Sequence, residues 1–130
     1  NFDEEVFYQC RACLPAPHLT TDGFVSACDM ALFGLDEGPM DAFIFGAWDK
    51  QRKRIVFFED RIAALRSRST VNLSECQDCP ALSHCAGYCL GEVVNETGGL
   101  FGRKPRTCEA IRFLYERMDL KSITYPFPHP

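Results

Sequence analysis

The sequence predicts a small cysteine-rich domain of the α+β class, with two short β-hairpins, loop-rich segments that carry most of the cysteines, and two or more helices. Three observations predict it. Eight cysteines occur among 130 residues, which is a high density for a domain of this size. Two stretches join β-prone runs across turn-forming residues. Two later stretches repeat apolar residues at helical spacing, and this segregation of strands and helices is typical of α+β domains.

Two hairpins are predicted in the first half of the chain. Residues 20–25 have the sequence Thr-Thr-Asp-Gly-Phe-Val, in which Asp22-Gly23 supplies the positive φ that a tight two-residue turn requires. Further on, residues 42–48 and 55–57 are two β-prone runs separated by a polar connector. The aromatic residues that we expect in the core beneath this second hairpin are Phe43, Phe45 and Trp48.

Two helices are predicted after the hairpins. Phe58, Ile62 and Leu65 recur at i, i+4 and i+7 and form one apolar stripe. A second helix is expected after Pro105, with Thr107 as its N-cap. The apolar stripe of this second helix comprises Ile111, Leu114, Tyr115 and Met118.

The remaining segments are predicted to be irregular. Cysteine, proline and glycine punctuate residues 71–103, so we expect mostly loop there. The chain ends in alternating prolines, which cannot continue a helix. We therefore divide the chain into a single domain over residues 1–120 and a Pro-rich C-terminal tail over residues 121–130.

The composition excludes several classes of protein. Lys plus Arg number 14 and Asp plus Glu number 18, so the formal net charge is −4, and 46% of the residues are hydrophobic. No apolar run approaches the roughly 18 to 20 residues that span a bilayer, which argues against a membrane protein. Mild acidity argues against nucleic-acid binding. The chain begins at Asn1 without an initiator methionine, so we expect it to be processed or part of a longer protein.

The spacing of the cysteines indicates metal binding. Cys10 and Cys13 form one C-x2-C motif, and Cys76 and Cys79 form another. Two intervening residues let the chain turn so that both sulfurs face one metal. Disulfide frameworks are typical of secreted domains with small cores, and a redox dithiol expects a βαβ setting that we do not find. The spacing leaves both zinc and iron–sulfur clusters open.

The complete cysteine pattern resembles that of a known family. From Cys13 it runs Cys-x9-Gly-x4-Cys, then from Cys76 Cys-x2-Cys-x5-Cys-x3-Cys, then Cys108, with Cys10 as an additional upstream cysteine. This pattern resembles the SPASM domain, the auxiliary iron–sulfur domain of many radical SAM enzymes that modify peptides and proteins. Residues 85–89, Cys-Ala-Gly-Tyr-Cys, are similar to the C-x-G-x-C knuckle of that family.

The resemblance implies two [4Fe–4S] clusters with interleaved ligands. The first cluster would be bound by Cys10, Cys13, Cys28 and Cys89. The second cluster would be bound by Cys76, Cys79, Cys85 and Cys108. Such clusters imply a role in electron transfer, in positioning a peptide substrate, or in both, and an iron–sulfur protein is expected in the cytoplasm.

Radical SAM catalysis itself needs a C-x3-C-x2-C loop, whose open iron binds S-adenosylmethionine. These 130 residues contain no such loop, because Glu92 occupies the position where Cys85-x3-Cys89 would require a third cysteine. We therefore assign no catalytic residue and expect the chain alone to lack radical activity. The implied partners are the N-terminal radical SAM barrel of the same polypeptide, which would bind S-adenosylmethionine, a peptide or protein substrate, and an electron donor or acceptor protein.

Two alternatives remain open at this point. One is a zinc-binding interaction module that holds zinc in two structural four-cysteine sites. The other is a protein of this fold that has lost catalysis and serves only in peptide recognition. His18 and His84 are not expected to be ligands in either case, because eight cysteines already fill two sites.

Bound clusters would also need a counter-charge. Each [4Fe–4S] core with four thiolates carries a charge of 2−, so two clusters would take the formal charge from −4 to about −8. We expect basic side chains near the cysteines to offset part of it. The candidates from the sequence are Arg11, Arg103, Lys104 and Arg106.

Overall fold

A four-stranded antiparallel sheet is the central element of the computed structural model, which describes Tyr8 and residues 10–34 and 38–118. The strands lie in the order β1-β2-β3-β4. Their bounds are β1 His18–Leu19, β2 Phe24–Ser26, β3 Ile44–Asp49 and β4 Arg54–Phe57. The tail predicted over residues 121–130 lies outside the described residues.

In the described part of the chain, four α-helices follow the sheet, which confirms the predicted α+β class. They are α1 Glu59–Arg66, α2 Leu82–Cys85, α3 Leu90–Thr97 and α4 Pro105–Arg117. Single turns of 3-10 helix occupy Arg11–Cys13, Pro39–Phe43, Thr70–Asn72 and Ser74–Cys76. Among the described residues, no helix combines the length and the apolar character needed to cross a membrane.

The first hairpin forms where it was predicted, but its loop has three residues rather than two. The Thr20 amide donates to the Phe24 carbonyl at 2.9 Å and closes the loop, and Gly23 adopts a φ of 87°. A turn followed by one left-handed residue is a common three-residue hairpin connection. The Asp22 carboxylate extends beyond the loop and accepts the Gly34 amide at 3.0 Å, which fixes the next segment against the hairpin.

The second hairpin is confirmed, with β3 and β4 paired from Gly46↔Phe57 to Asp49↔Arg54. Phe43 and Phe45 are buried as predicted. Trp48, also predicted in the core, is 45% exposed, so that prediction was wrong. The core covers only the first half of β3, and Trp48 lies in the uncovered half next to the turn.

The core joins the sheet to α1 and α3. Leu65 of the predicted α1 stripe is fully buried, and Ile62 packs at the edge of the same cluster. Val25 from β2 and Leu90 from α3 complete the contact between the early and late parts of the chain. Apolar packing therefore holds the domain together, in addition to any metal that the cysteines bind.

Helix α3 contradicts the prediction of mostly loop over residues 71–103. Its residues Leu90, Val93 and Val94 are buried and recur at i, i+3 and i+4, which is the spacing of one helix face. The helix ends at Gly98, whose φ of 77° provides a left-handed C-cap. The nearby cysteines and glycines concealed this short but regular signal.

Helix α4 confirms the helix predicted after Pro105, with a different start and a different inner face. Lys104 rather than Thr107 precedes the first turn, and Pro105 occupies it, where a missing amide proton is no loss. The half-buried residues are Thr107, Cys108, Ile111 and Tyr115, whereas Leu114 and Met118 of the predicted stripe are exposed. Cys108 thus lies on the inner face of α4.

Candidate metal centre

All eight cysteines are free thiols that are buried or half-buried, and each lies at a turn or at a helix end or first turn. The two C-x2-C motifs each close a tight turn: the Cys13 amide donates to the Cys10 carbonyl at 3.1 Å, and the Cys79 amide donates to the Cys76 carbonyl at 3.0 Å. These turns bring both side chains of a motif to the same side of the backbone, as a shared metal site requires.

One set of thiols lies between the first hairpin and α3. Burial, and then the Cys10 thiol, raise the pKa of Cys13 to about 11. Burial is also the largest influence that raises the pKa of Cys28, and the thiols of Cys10 and Cys89 raise it further. A methyl group at Gly91 would lie 3.3 Å from Cys28 Sγ, so Cys28 contacts the first turn of α3. We call Cys10, Cys13, Cys28 and Cys89 the first thiol group.

The other four thiols line one cavity of about 80 Å³. Burial raises the pKa of Cys76, and the thiols of Cys108, Cys79 and Cys85 raise it further. Apolar side chains line the same cavity, among them Leu73. We call Cys76, Cys79, Cys85 and Cys108 the second thiol group. The family resemblance implies these same two sets of four, and both the division of the cysteines between two sites and their ligation of clusters stay predictions.

Backbone amides surround the sulfur atoms of both thiol groups. The Ala12 amide donates to Cys10 Sγ at 3.4 Å. At Cys85, burial raises the pKa of the thiol, while hydrogen bonds from the Gly87 and Tyr88 amides lower it. Ala86, Gly87 and Tyr88 all have positive φ values, of 46°, 93° and 66°. Consecutive left-handed residues turn their amides toward one point, which explains the close spacing of the knuckle.

Two of the four basic residues expected to offset cluster charge, Lys104 and Arg103, form ion pairs with carboxylates. Lys104 Nζ lies 3.0 Å from a carboxylate oxygen of both Glu92 and Glu96. Arg103 lies 3.8 Å from the Glu75 carboxylate, although its charge also lowers the pKa of Cys76, which burial raises. The Lys104 charge is therefore neutralised locally, and it ties α4 to α3. The other two candidates, Arg11 and Arg106, are exposed.

The sequence gives no indication of the basic residue that does lie between the thiol groups. Arg68 follows α1 and is 4% exposed, and it lines the cavity of the second thiol group. The residues that surround it come from distant parts of the chain, so no local pattern could have identified it.

His18 and His84, which were not expected to be ligands, are exposed. His18 Nδ1 is 3.5 Å from an Asp29 carboxylate oxygen. The His84 ring packs against the Tyr115 ring, with centroids 5.4 Å apart.

Four cysteine thiols are a donor set that both structural zinc sites and [4Fe–4S] clusters use, so the donor chemistry of each group fits either metal. Within the described part of the chain, no three or more His, Cys, Asp or Glu side chains are grouped closely enough to hold a metal ion.

Comparison with known proteins gives one relative. No family model matches the chain, and no solved structure matches it. It is 31% identical over 52 residues to the radical SAM cyclopropyl synthase TigE of Paramaledivibacter caminithermalis, in a match that covers 40% of this chain and 11% of that protein. The chain thus corresponds to a small part of the relative's length. Over part of its own length it is related to a radical SAM enzyme.

Proposed function

We propose that this chain is a SPASM-type auxiliary domain that binds two [4Fe–4S] clusters, one in each thiol group. The first cluster would be bound by Cys10, Cys13, Cys28 and Cys89, and the second by Cys76, Cys79, Cys85 and Cys108. The observation that supports the proposal is that Cys76, Cys79, Cys85 and Cys108 line one cavity, while Cys28 has Cys10 and Cys89 as its thiol neighbours. Similarity to a radical SAM enzyme supports the choice of iron over zinc.

The residues of this chain would prepare the sites in three ways. Burial raises the pKa of Cys13, Cys28, Cys76 and Cys85, so metal binding by these thiols would displace protons. Amides that donate to Cys10 and Cys85 stabilise the thiolate charge. Apolar neighbours such as Leu73 and Ile111 limit access of water. Bound clusters would supply sites for one-electron transfer.

The same proposal includes a parent enzyme. We infer that a radical SAM barrel on the same polypeptide binds S-adenosylmethionine, and that this domain relays electrons, positions a peptide substrate, or does both. Glu92 stands where a third catalytic cysteine would be required, and it pairs with Lys104 instead. We therefore expect the isolated chain not to cleave S-adenosylmethionine.

Metal analysis of the full chain, purified without exposure to oxygen, tests the proposal. We expect a brown protein with about eight iron and eight sulfide per chain. Each thiol group provides the control for the other. Cys28→Ser should remove about half of the iron and leave the electron paramagnetic resonance (EPR) signal of the second cluster. Cys108→Ser should do the reverse.

Three results would contradict the proposal. A colourless protein with about two zinc ions, prepared anaerobically, would establish the zinc module instead. A chain that binds neither metal would exclude both. Loss of the same EPR signal in the Cys28 and Cys108 variants would refute the division into two groups.

A further inference from the structure

Arg68 is a buried cation with an incomplete set of partners. Its Nη2 donates to the Gly87 carbonyl at 2.6 Å. Its Nη1 is buried and has no hydrogen-bond partner among the described residues. A buried donor without a partner is strongly unfavourable, and more so in a charged group. The geometry therefore leaves the N–H groups of Nη1 available for an acceptor that the described residues do not provide.

The surroundings of Arg68 identify the kind of acceptor. Burial has the largest influence on the pKa of Arg68 and lowers it. Four thiols have the next largest influences and raise it: Cys13, Cys76, Cys85 and Cys10. Two belong to the first thiol group and two to the second. In the described part of the chain, Arg68 is in no ion pair with a carboxylate, unlike Lys104 and Arg103. Arg68 therefore lies near thiols of both groups.

The neighbouring backbone fixes Arg68 in this position. Gly87, whose carbonyl holds Nη2, lies in the knuckle between Cys85 of the second group and Cys89 of the first. A methyl group at Gly87 would lie 2.9 Å from Nη2, so the guanidinium packs directly on this backbone. Arginine suits such a position because its rigid fork can hold one partner with one nitrogen while the other nitrogen donates elsewhere.

We propose that Arg68 is a positioning residue shared by the two clusters: Nη2 is anchored on Gly87, Nη1 donates to a sulfur of a bound cluster, and the charge raises the reduction potentials of both. This inference rests on the proposed function. Hydrogen bonds to sulfur and net charge near a cluster are among the factors that set its potential. A cation that faces both groups favours the reduced, more negative state of each.

EPR-monitored redox titration of the full iron-loaded chain tests this proposal. Arg68→Gln removes the charge. We expect the equilibrium constant for one-electron reduction of each cluster to fall about tenfold, which lowers each reduction potential by about 59 mV. Arg66→Gln is the matched control, because it removes an exposed arginine from the same helix end. Arg68→Lys retains the charge but has a single nitrogen in place of the fork, so it cannot occupy the positions of both Nη1 and Nη2. At least one potential should therefore fall, by less than in Arg68→Gln.

The outcomes separate this inference from the function on which it rests. Iron absent from the wild-type chain would refute the proposed function before any potential is measured. Iron present, with Arg68→Gln no different from Arg66→Gln, would overturn the role of Arg68 alone. If Arg68→Gln does not retain iron, Arg68→Lys decides the question, and unchanged potentials of both clusters would overturn the proposal.

Discussion

Replacement of Gly87 by alanine should destabilise the domain more than the same change at Gly98. Both glycines have positive φ, 93° and 77°, so both variants strain the backbone. They differ in their surroundings: a methyl group at Gly98 meets nothing within 4 Å, whereas one at Gly87 lies 2.8 Å from Leu73 Cδ1 and 2.9 Å from Arg68 Nη2. Leu73 is buried and Arg68 is hydrogen-bonded to Gly87, so neither can move without loss.

The expected loss of stability is the sum of two contributions, the strain of a left-handed backbone and the close contacts of the added methyl group. A left-handed backbone costs an alanine about 1–2 kcal/mol, which is the whole expected effect at Gly98. Overpacking adds about 1–3 kcal/mol, so Gly87→Ala should lower the free energy of unfolding by about 2–5 kcal/mol. The expected difference between the variants is therefore at least about 1 kcal/mol, well above the usual uncertainty of a matched comparison.

Anaerobic urea unfolding followed by circular dichroism measures this difference. The wild-type protein, Gly87→Ala and Gly98→Ala are compared at the same iron content, so that bound metal contributes equally. If the midpoints of the two variants coincide with unchanged urea dependence, the packing of Arg68 and Leu73 against Gly87 is not as described. A larger loss at Gly98 than at Gly87 would refute the reasoning outright.

Three further predictions test other parts of the structure. Leu65→Ala, in the centre of the core, should lower the free energy of unfolding by about 2–5 kcal/mol, while the exposed Val71→Ala changes it by less than about 0.5 kcal/mol; equal effects in urea unfolding would place Leu65 outside the core. Lys104→Met should lower the urea midpoint near neutral pH. Lys104 and Tyr88 donate hydrogen bonds to the Glu92 carboxylate and lower its pKa. The ion pair therefore stabilises the fold at pH values above the pKa of Glu92 in the unfolded chain. This stabilisation disappears as the pH falls through the lower pKa that Glu92 has in the folded protein. A gap between Lys104→Met and wild type that persists in acid would contradict this. After iron is removed by chelation, Cys13, with its pKa of about 11 against an ordinary 9.0, should be alkylated at pH 8 about tenfold more slowly than an unperturbed thiol, because its thiolate fraction is about 100-fold smaller while the greater nucleophilicity of that thiolate offsets part of the loss. Peptide mapping that finds Cys13 among the first thiols to react would contradict its burial.

Elements with a strong local signal could be predicted from the sequence. Asp22-Gly23 located the first hairpin, and Pro105 located the start of α4. Helix α3 carried a regular signal in Leu90 and Val93 that the neighbouring cysteines and glycines obscured. The prediction for Trp48 was wrong for a different reason. Strand alternation tells which side of the sheet a residue faces, but the extent of the core along β3 depends on elements that are distant in the chain.

The grouping of the cysteines came from resemblance to a family and not from their spacing. Cys28 and Cys89 are 61 residues apart in the sequence, and no local rule brings them together. Arg68 was not predicted at all, because its environment is formed by four thiols and one carbonyl from separate segments. Long-range contacts of this kind arise only when the chain has folded.

In the proposed function, the interleaving of the two thiol groups would make the domain indivisible. A cut at any point between Cys28 and Cys76 leaves Cys10, Cys13 and Cys28 on one fragment and Cys89 on the other. During synthesis from the N-terminus, the first group stays incomplete until three thiols of the second have already emerged. Neither proposed cluster could therefore have its full set of ligands before Cys89 is synthesised.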